Sequence, residues 1–275
     1  VTRSATATAT ASASARASAP ASTTAPRRAA ENLPLYFARL LGCLLLMEFL
    51  LHRFPFFAVV SSRLMQQLSA AETAVVCYVV LKMMWLKFLL IWRFFRMWAL
   101  AEGVDPPENM LKCMSNNHSL EGFWRGWHAS FNRWLVQYVY KPMGGREARF
   151  YSVWVIFLFV ALWHDLEVKL LAWGLLNASF YVVEVWVKRI ARPGLASLHP
   201  AAYALLTAAA GAVYVMVLIA VNLTGYATGV GGMSMLLQKV GSAEGVQMVL
   251  VSLYFLTVGV LLMQYLKRKG VAKED

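Results

Sequence analysis

Beyond Leu33 the chain alternates between long apolar runs and shorter polar joints, giving five or six runs in all. Residues 35–51 form the first, 73–98 the second, 201–223 and 246–266 the last two, and 151–187 a longer stretch with a polar interruption. A helix needs about 20 residues to cross a bilayer, and most of these runs approach or exceed that. None alternates as a strand would, and hydrocarbon leaves backbone groups no partner outside their own segment. The predicted fold class is therefore all-α, a polytopic transmembrane helical bundle with interfacial and re-entrant helices. Lys82, Lys87, Arg93 and Arg96 make one half of the second run amphipathic, as in a helix lying partly in the interface.

Three regions follow. Residues 1–32 are rich in Ala, Thr, Ser and Pro, bury no core and are predicted to be disordered. Their Arg and Ser content, with almost no acidic residues, also fits a transit peptide. Residues 33–266 form the membrane domain and 267–275 a basic cytoplasmic tail. Because the chain opens on Val1 rather than Met, it is expected to be the C-terminal part of a longer protein.

Composition agrees with lipid as the solvent: 59% of residues are hydrophobic and only 15% charged, against roughly a quarter charged in soluble domains. The formal net charge of +12 does not indicate nucleic acid, because the Lys and Arg residues cluster between apolar runs, as in cytoplasmic loops. Lys188, Arg189 and Arg192 precede the run at 201–223, and Lys267, Arg268 and Lys269 follow the run at 246–266. Both ends are thus predicted to be cytoplasmic, and the joint at 224–245, holding Lys239 alone, lumenal or exterior. Asn222-Leu-Thr224 is a glycosylation sequon at that edge, too close to the membrane to be used. Cys43, Cys77 and Cys113 are widely spaced and imply neither a disulfide framework nor a zinc module.

The polar centre carries the chemistry. Asp105-Pro106-Pro107-Glu108 has the form of a helix start, predicting a short helix to about Met114. From Phe123 to Tyr140, Trp124, Trp127, Phe131, Trp134, Leu135 and Tyr138 recur at helical spacing and predict one interfacial helix ending at Pro142 and Gly144-Gly145. His128 falls at the border of its apolar face. The apolar run at 151–163 is too short to cross, so it stops inside the membrane at His164, Asp165, Glu167 and Lys169 before a second run turns back. Ionisable residues at such depth usually line a functional cavity, and desolvation favours a neutral, proton-accepting imidazole. A lone membrane histidine serves packing as often as function. Two of them, His128 and His164, with enough chain between them to fold back and face each other, favour function. As metal ligands they have only Asp165 or Glu167 to complete a site, so no metal is assigned. His52, His118 and His199 lie near run ends or in polar joints and read as solvated.

The segments Phe123-Trp-Arg-Gly-Trp-His128-Ala-Ser-Phe-Asn-Arg-Trp-Leu, Tyr138-Val-Tyr-Lys-Pro-Met-Gly-Gly145 and Ala161-Leu-Trp-His164-Asp-Leu-Glu closely resemble the membrane-bound O-acyltransferase superfamily. Arg96-Met-Trp, Gly103-Val-Asp-Pro-Pro-Glu-Asn-Met110, Ser115-Asn-Asn and Trp163-His-Asp-Leu-Glu167 resemble its glycerol-uptake-protein branch, related to hedgehog acyltransferase. The resemblance covers residues 94–173. It implies a helical membrane enzyme with a tunnel, a fatty acyl-CoA co-substrate and no cofactor. It also implies a lipid acceptor, with the lyso form of glycosylphosphatidylinositol anchors suggested for the branch, and residence in the endoplasmic reticulum. His164 matches the superfamily's essential histidine, and His128 its frequent second member.

On this reading His164 is a general base for acyl transfer to a lipid hydroxyl, and His128 binds the acceptor or the thioester oxygen. Asp165 either joins the site or pairs with Lys169; Asn117 is a further polar contact or a turn residue. Trp124, Arg125, Trp127 and Trp163 complete the candidate tunnel. The rival reading is a membrane protein associated with glycerol or polyol transport, or a non-catalytic scaffold. The sequence shows no internal repeat of the kind common in transporters.

Overall fold

The computed structural model describes residues 33–270, so the predicted disordered segment and the last five residues of the tail lie outside the described residues. The elements are α1 (Leu33–Arg53), α2 (Phe56–Ser61), α3 (Leu64–Gln67), α4 (Ala70–Ala101), α5 (Leu120–Gly126), α6 (Ala129–Leu135), a π-type turn (Val136–Tyr140), α7 (Arg149–His164), α8 (Val168–Ala196), α9 (Pro200–Tyr226), α10 (Gly229–Val240) and α11 (Ala243–Arg268). The described residues contain no strand, and α1, α4, α8, α9 and α11 are long and apolar enough to cross a membrane. The helical membrane bundle is as predicted. Phe37, Phe95 and Leu250 stand exposed on its outside, the arrangement that lipid favours and water would penalise.

Local chemistry sets the helix starts. Ser69 and Glu72 close a reciprocal capping box on α4, each side chain accepting from the other's backbone N–H. Ser242 caps α11 by accepting from Gly245 N–H, and Pro200 opens α9 at a position where its missing donor costs nothing.

Interhelical contacts fix which ends meet. Ala70 N–H donates to Glu244 at 3.0 Å, and Lys239 donates to the carbonyls of Gln66 and Leu68, so α4 and α11 start at the same end. Gln264 donates to Thr207 at 3.2 Å, placing the close of α11 beside the opening of α9. Arg96 lies over the Tyr36 ring, so α1 and α4 are antiparallel.

The hairpin of α7 and α8 is held by close backbone approach. A Cβ on Gly174 would stand 2.8 Å from the Phe157 carbonyl oxygen, so only glycine lets these helices meet here. Gly225 does the same for α9, because the Trp173 indole sits 2.7 Å from where its Cβ would be.

Three expectations are corrected, and one joint holds a helix of its own. Residues 102–119 form no helix: Asp105, the expected cap, instead pairs with Arg96 at 2.6 Å, and Glu108 is drawn to Arg96 and Arg93. The single helix expected over 123–140 breaks at Trp127 and His128, between α5 and α6. The joint at 224–245 contains the helix α10. His118 is half-buried, with its Cβ and carbonyl packed on α9 at Gly211, and is not solvated as expected. The Asn222 side chain is occupied, accepting from the Trp173 indole at 3.2 Å and donating to the Leu218 carbonyl at 2.8 Å.

Candidate active site

Where α5 gives way to α6 the chain turns through His128, whose φ of 46° makes it the only non-glycine residue with positive φ among the described residues. A side chain there is strained, and such strain persists only where the surroundings impose it. Asn109 supplies much of that constraint. Its carbonyl accepts from Ala129 N–H at 3.1 Å and its side-chain oxygen from Ser130 N–H at 2.9 Å, satisfying two donors at the start of α6. Leu111 N–H donates to Gly126 O from the same segment. The start of α5 is tied down separately: the buried carboxylate of Glu184 accepts from Leu120 N–H at 2.8 Å and pairs with Lys188.

The kink turns the His128 ring onto α4. The imidazole stacks on Trp92 with centroids 4.8 Å apart and planes at 19°, and lies 5.2 Å from Phe131. Burial lowers its pKa below the ordinary value, and the nearby His164 adds to the effect, so the ring is neutral at physiological pH.

His164 is the last residue of α7, at the turn of the hairpin, with Trp163, Trp173 and Tyr226 at 4.9, 5.9 and 5.8 Å. Trp163 links the two histidines, since its ring also lies 6.4 Å from that of His128. Among the described residues none hydrogen-bonds a ring nitrogen of either histidine, leaving both for a ligand. No group of three His, Cys, Asp or Glu residues is placed to hold a metal among the described residues.

Both imidazoles open into a cavity of ≈ 940 Å³ between α4, α9 and α11, walled largely by aliphatic and aromatic side chains. It borders α4 from Ala70 to Trp92, about 33 Å at 1.5 Å per residue, close to the roughly 30 Å thickness of a hydrocarbon core. Asn117, Trp124, Trp127 and Trp163 line it with the histidines, as the candidate tunnel requires. Arg125 and Asp165 do not. Arg125 pairs outward with Glu121 at 3.0 Å. The Asp165 carboxylate accepts from Leu166 N–H, and Lys169 pairs with Glu167 instead of Asp165. The sequence reading missed Trp92, Asn109 and Tyr226, whose roles arise from contacts between distant segments.

The profile of the membrane-bound O-acyltransferase family matches residues 17–228, which include both histidines and most of the cavity wall. The chain belongs to this family. It is 43% identical over 198 residues to the membrane-bound O-acyltransferase gup1 of Schizosaccharomyces pombe, covering 72% of this chain and 34% of that protein. It is 38% identical over 203 residues to GUP1 of Saccharomyces cerevisiae, covering 74% and 36%. A shorter match, 32% identical over 93 residues, reaches mouse protein-cysteine N-palmitoyltransferase HHAT, covering 32% of this chain and 18% of that enzyme. The chain thus spans about a third of the length of these GUP1 relatives.

Proposed function

We propose that the protein transfers a fatty acyl group from acyl-CoA to a hydroxyl of a lipid acceptor, the lyso form of a glycosylphosphatidylinositol anchor, in the endoplasmic reticulum. The observation that carries this reading is the pair of unengaged imidazoles, bridged by Trp163, on the wall of one long apolar cavity.

A ring nitrogen of His164 removes the acceptor's hydroxyl proton as its oxygen attacks the thioester carbonyl. His128 donates a hydrogen bond to the oxygen on which negative charge develops. Collapse of the tetrahedral intermediate breaks the carbon–sulfur bond, and the thiolate takes the proton from the His164 imidazolium. Positioned bases contribute about 10²- to 10⁴-fold, and one well-placed oxyanion donor roughly 3 kcal/mol. The apolar wall suits an acyl chain and excludes the water that would hydrolyse the thioester. A polyol path would need hydrogen-bonding side chains along its length, and few polar groups face this cavity.

The acceptor class rests on the resemblance to the glycerol-uptake-protein branch. The test supplies labelled acyl-CoA with a lyso-anchor acceptor to microsomes carrying the protein at its native length. Label in the diacyl anchor lipid is the expected result; label elsewhere would reassign the acceptor, and none at all would remove the enzyme reading.

A further inference from the structure

Lys82 is a cation in the middle of an apolar span. About 18 Å of helix separates it from Ala70 and about 16 Å from Arg93, so its side chain reaches neither end of the span. Isolated charges at such depth are costly and normally find a counter-charge. Among the described residues Lys82 has no carboxylate partner. Its ammonium donates to the Ser115 hydroxyl and lies 5.2 Å from the Tyr78 ring centre and 5.9 Å from that of Trp85. Aromatic faces stabilise an ammonium without neutralising it. Lys239, the other lysine on the cavity wall, donates to the Gln66 and Leu68 carbonyls.

Lys82 and Ser115 border the same cavity as the two histidines, and the cavity continues past them to Ala70 and Lys239 at the edge of the span. We infer that Lys82 and Ser115 form a phosphate-binding site inside the membrane cavity, which seats the phosphate of a lipid headgroup or of the acyl donor. The charge missing from the protein arrives with the ligand: the ammonium and the hydroxyl each donate to a phosphate oxygen, and the two rings hold the ammonium when the site is empty. Assignment of the phosphate to a substrate rests on the acyl-transfer reading; the site itself does not.

Binding decides the matter independently of turnover. The protein at native length in nanodiscs is titrated with lysophosphatidylinositol against a monoacylglycerol of equal chain length. A second pair sets acyl-CoA against the same acyl chain on N-acetylcysteamine. We expect Lys82→Met to raise the Kd of the phosphate-bearing member of one pair by about tenfold, the loss of one charge-assisted hydrogen bond. Its phosphate-free partner should move less than about twofold, and Lys82→Arg should restore most of the affinity. A loss confined to the first pair identifies the lipid headgroup, and one confined to the second identifies the donor. Lys82→Gln serves should the Met variant not insert. Equal weakening of all four probes, or of none, overturns the site whether or not the protein transfers acyl groups.

Discussion

The His128 imidazole and the Trp92 indole stack nearly parallel, 4.8 Å apart, so a residue of the loop between two short helices is oriented by a spanning helix 36 positions earlier in the chain. Replacing Trp92 with Ala removes the surface that fixes the ring. Acyl transfer should fall about 10- to 100-fold, the scale of a misplaced reacting group, while Trp92→Phe keeps most of the rate. Initial rates of label incorporation at matched protein abundance check both.

Asn109 holds the start of α6 by two hydrogen bonds, one of them from its side chain. Asn109→Ala keeps the backbone bond and loses the other, so it should cost about 1 kcal/mol of stability, as for a lost helix cap. Asn109→Asp keeps an acceptor and should behave nearly as wild type. Thermal unfolding in detergent reads the difference.

Much of this was legible in the sequence. The spans came from runs of apolar residues too long for any other use, and His164 from standing where such a run stops short. The kink at His128 was not legible, because Phe123 to Tyr140 keeps helical spacing across the break. Asn109 and Leu111, from a segment expected to be helical, give the interrupted backbone its partners. Asp105 misled for a similar reason: its cap-like setting is local, whereas Arg96, one turn from the end of α4, competes for it at 2.6 Å.

The lowered pKa of His128 sets a pH dependence. Its ordinary value is 6.5 and the folded value lies below that, owing to burial and then to His164. As pH falls below about 6.5 the unfolded chain binds the proton first, so folded stability declines toward the lower pKa and is level above 6.5. The His128→Asn variant, which tolerates the left-handed backbone, lacks this contribution. The melting temperature of wild type minus that of the variant should therefore shrink from pH 7 to pH 5. A difference that widens toward acid would contradict the assignment.

The contacts between helix ends place the close of α11 beside the opening of α9, so Arg189 and Lys267 should share the cytoplasmic face with Gly231 opposite. Single cysteines at the three positions in sealed microsomes check this with an impermeant thiol reagent. Labelling is expected at 189 and 267 before permeabilisation, and at 231 only after it.

If His164 carries the proton in acyl transfer, label incorporation from acyl-CoA by the His164→Ala protein, at matched abundance and membrane insertion, reads its loss. The imidazole faces the cavity, so its removal should leave folding near wild type while the rate falls by about 10²- to 10⁴-fold. Incorporation at the wild-type rate by correctly inserted His164→Ala protein would contradict the account.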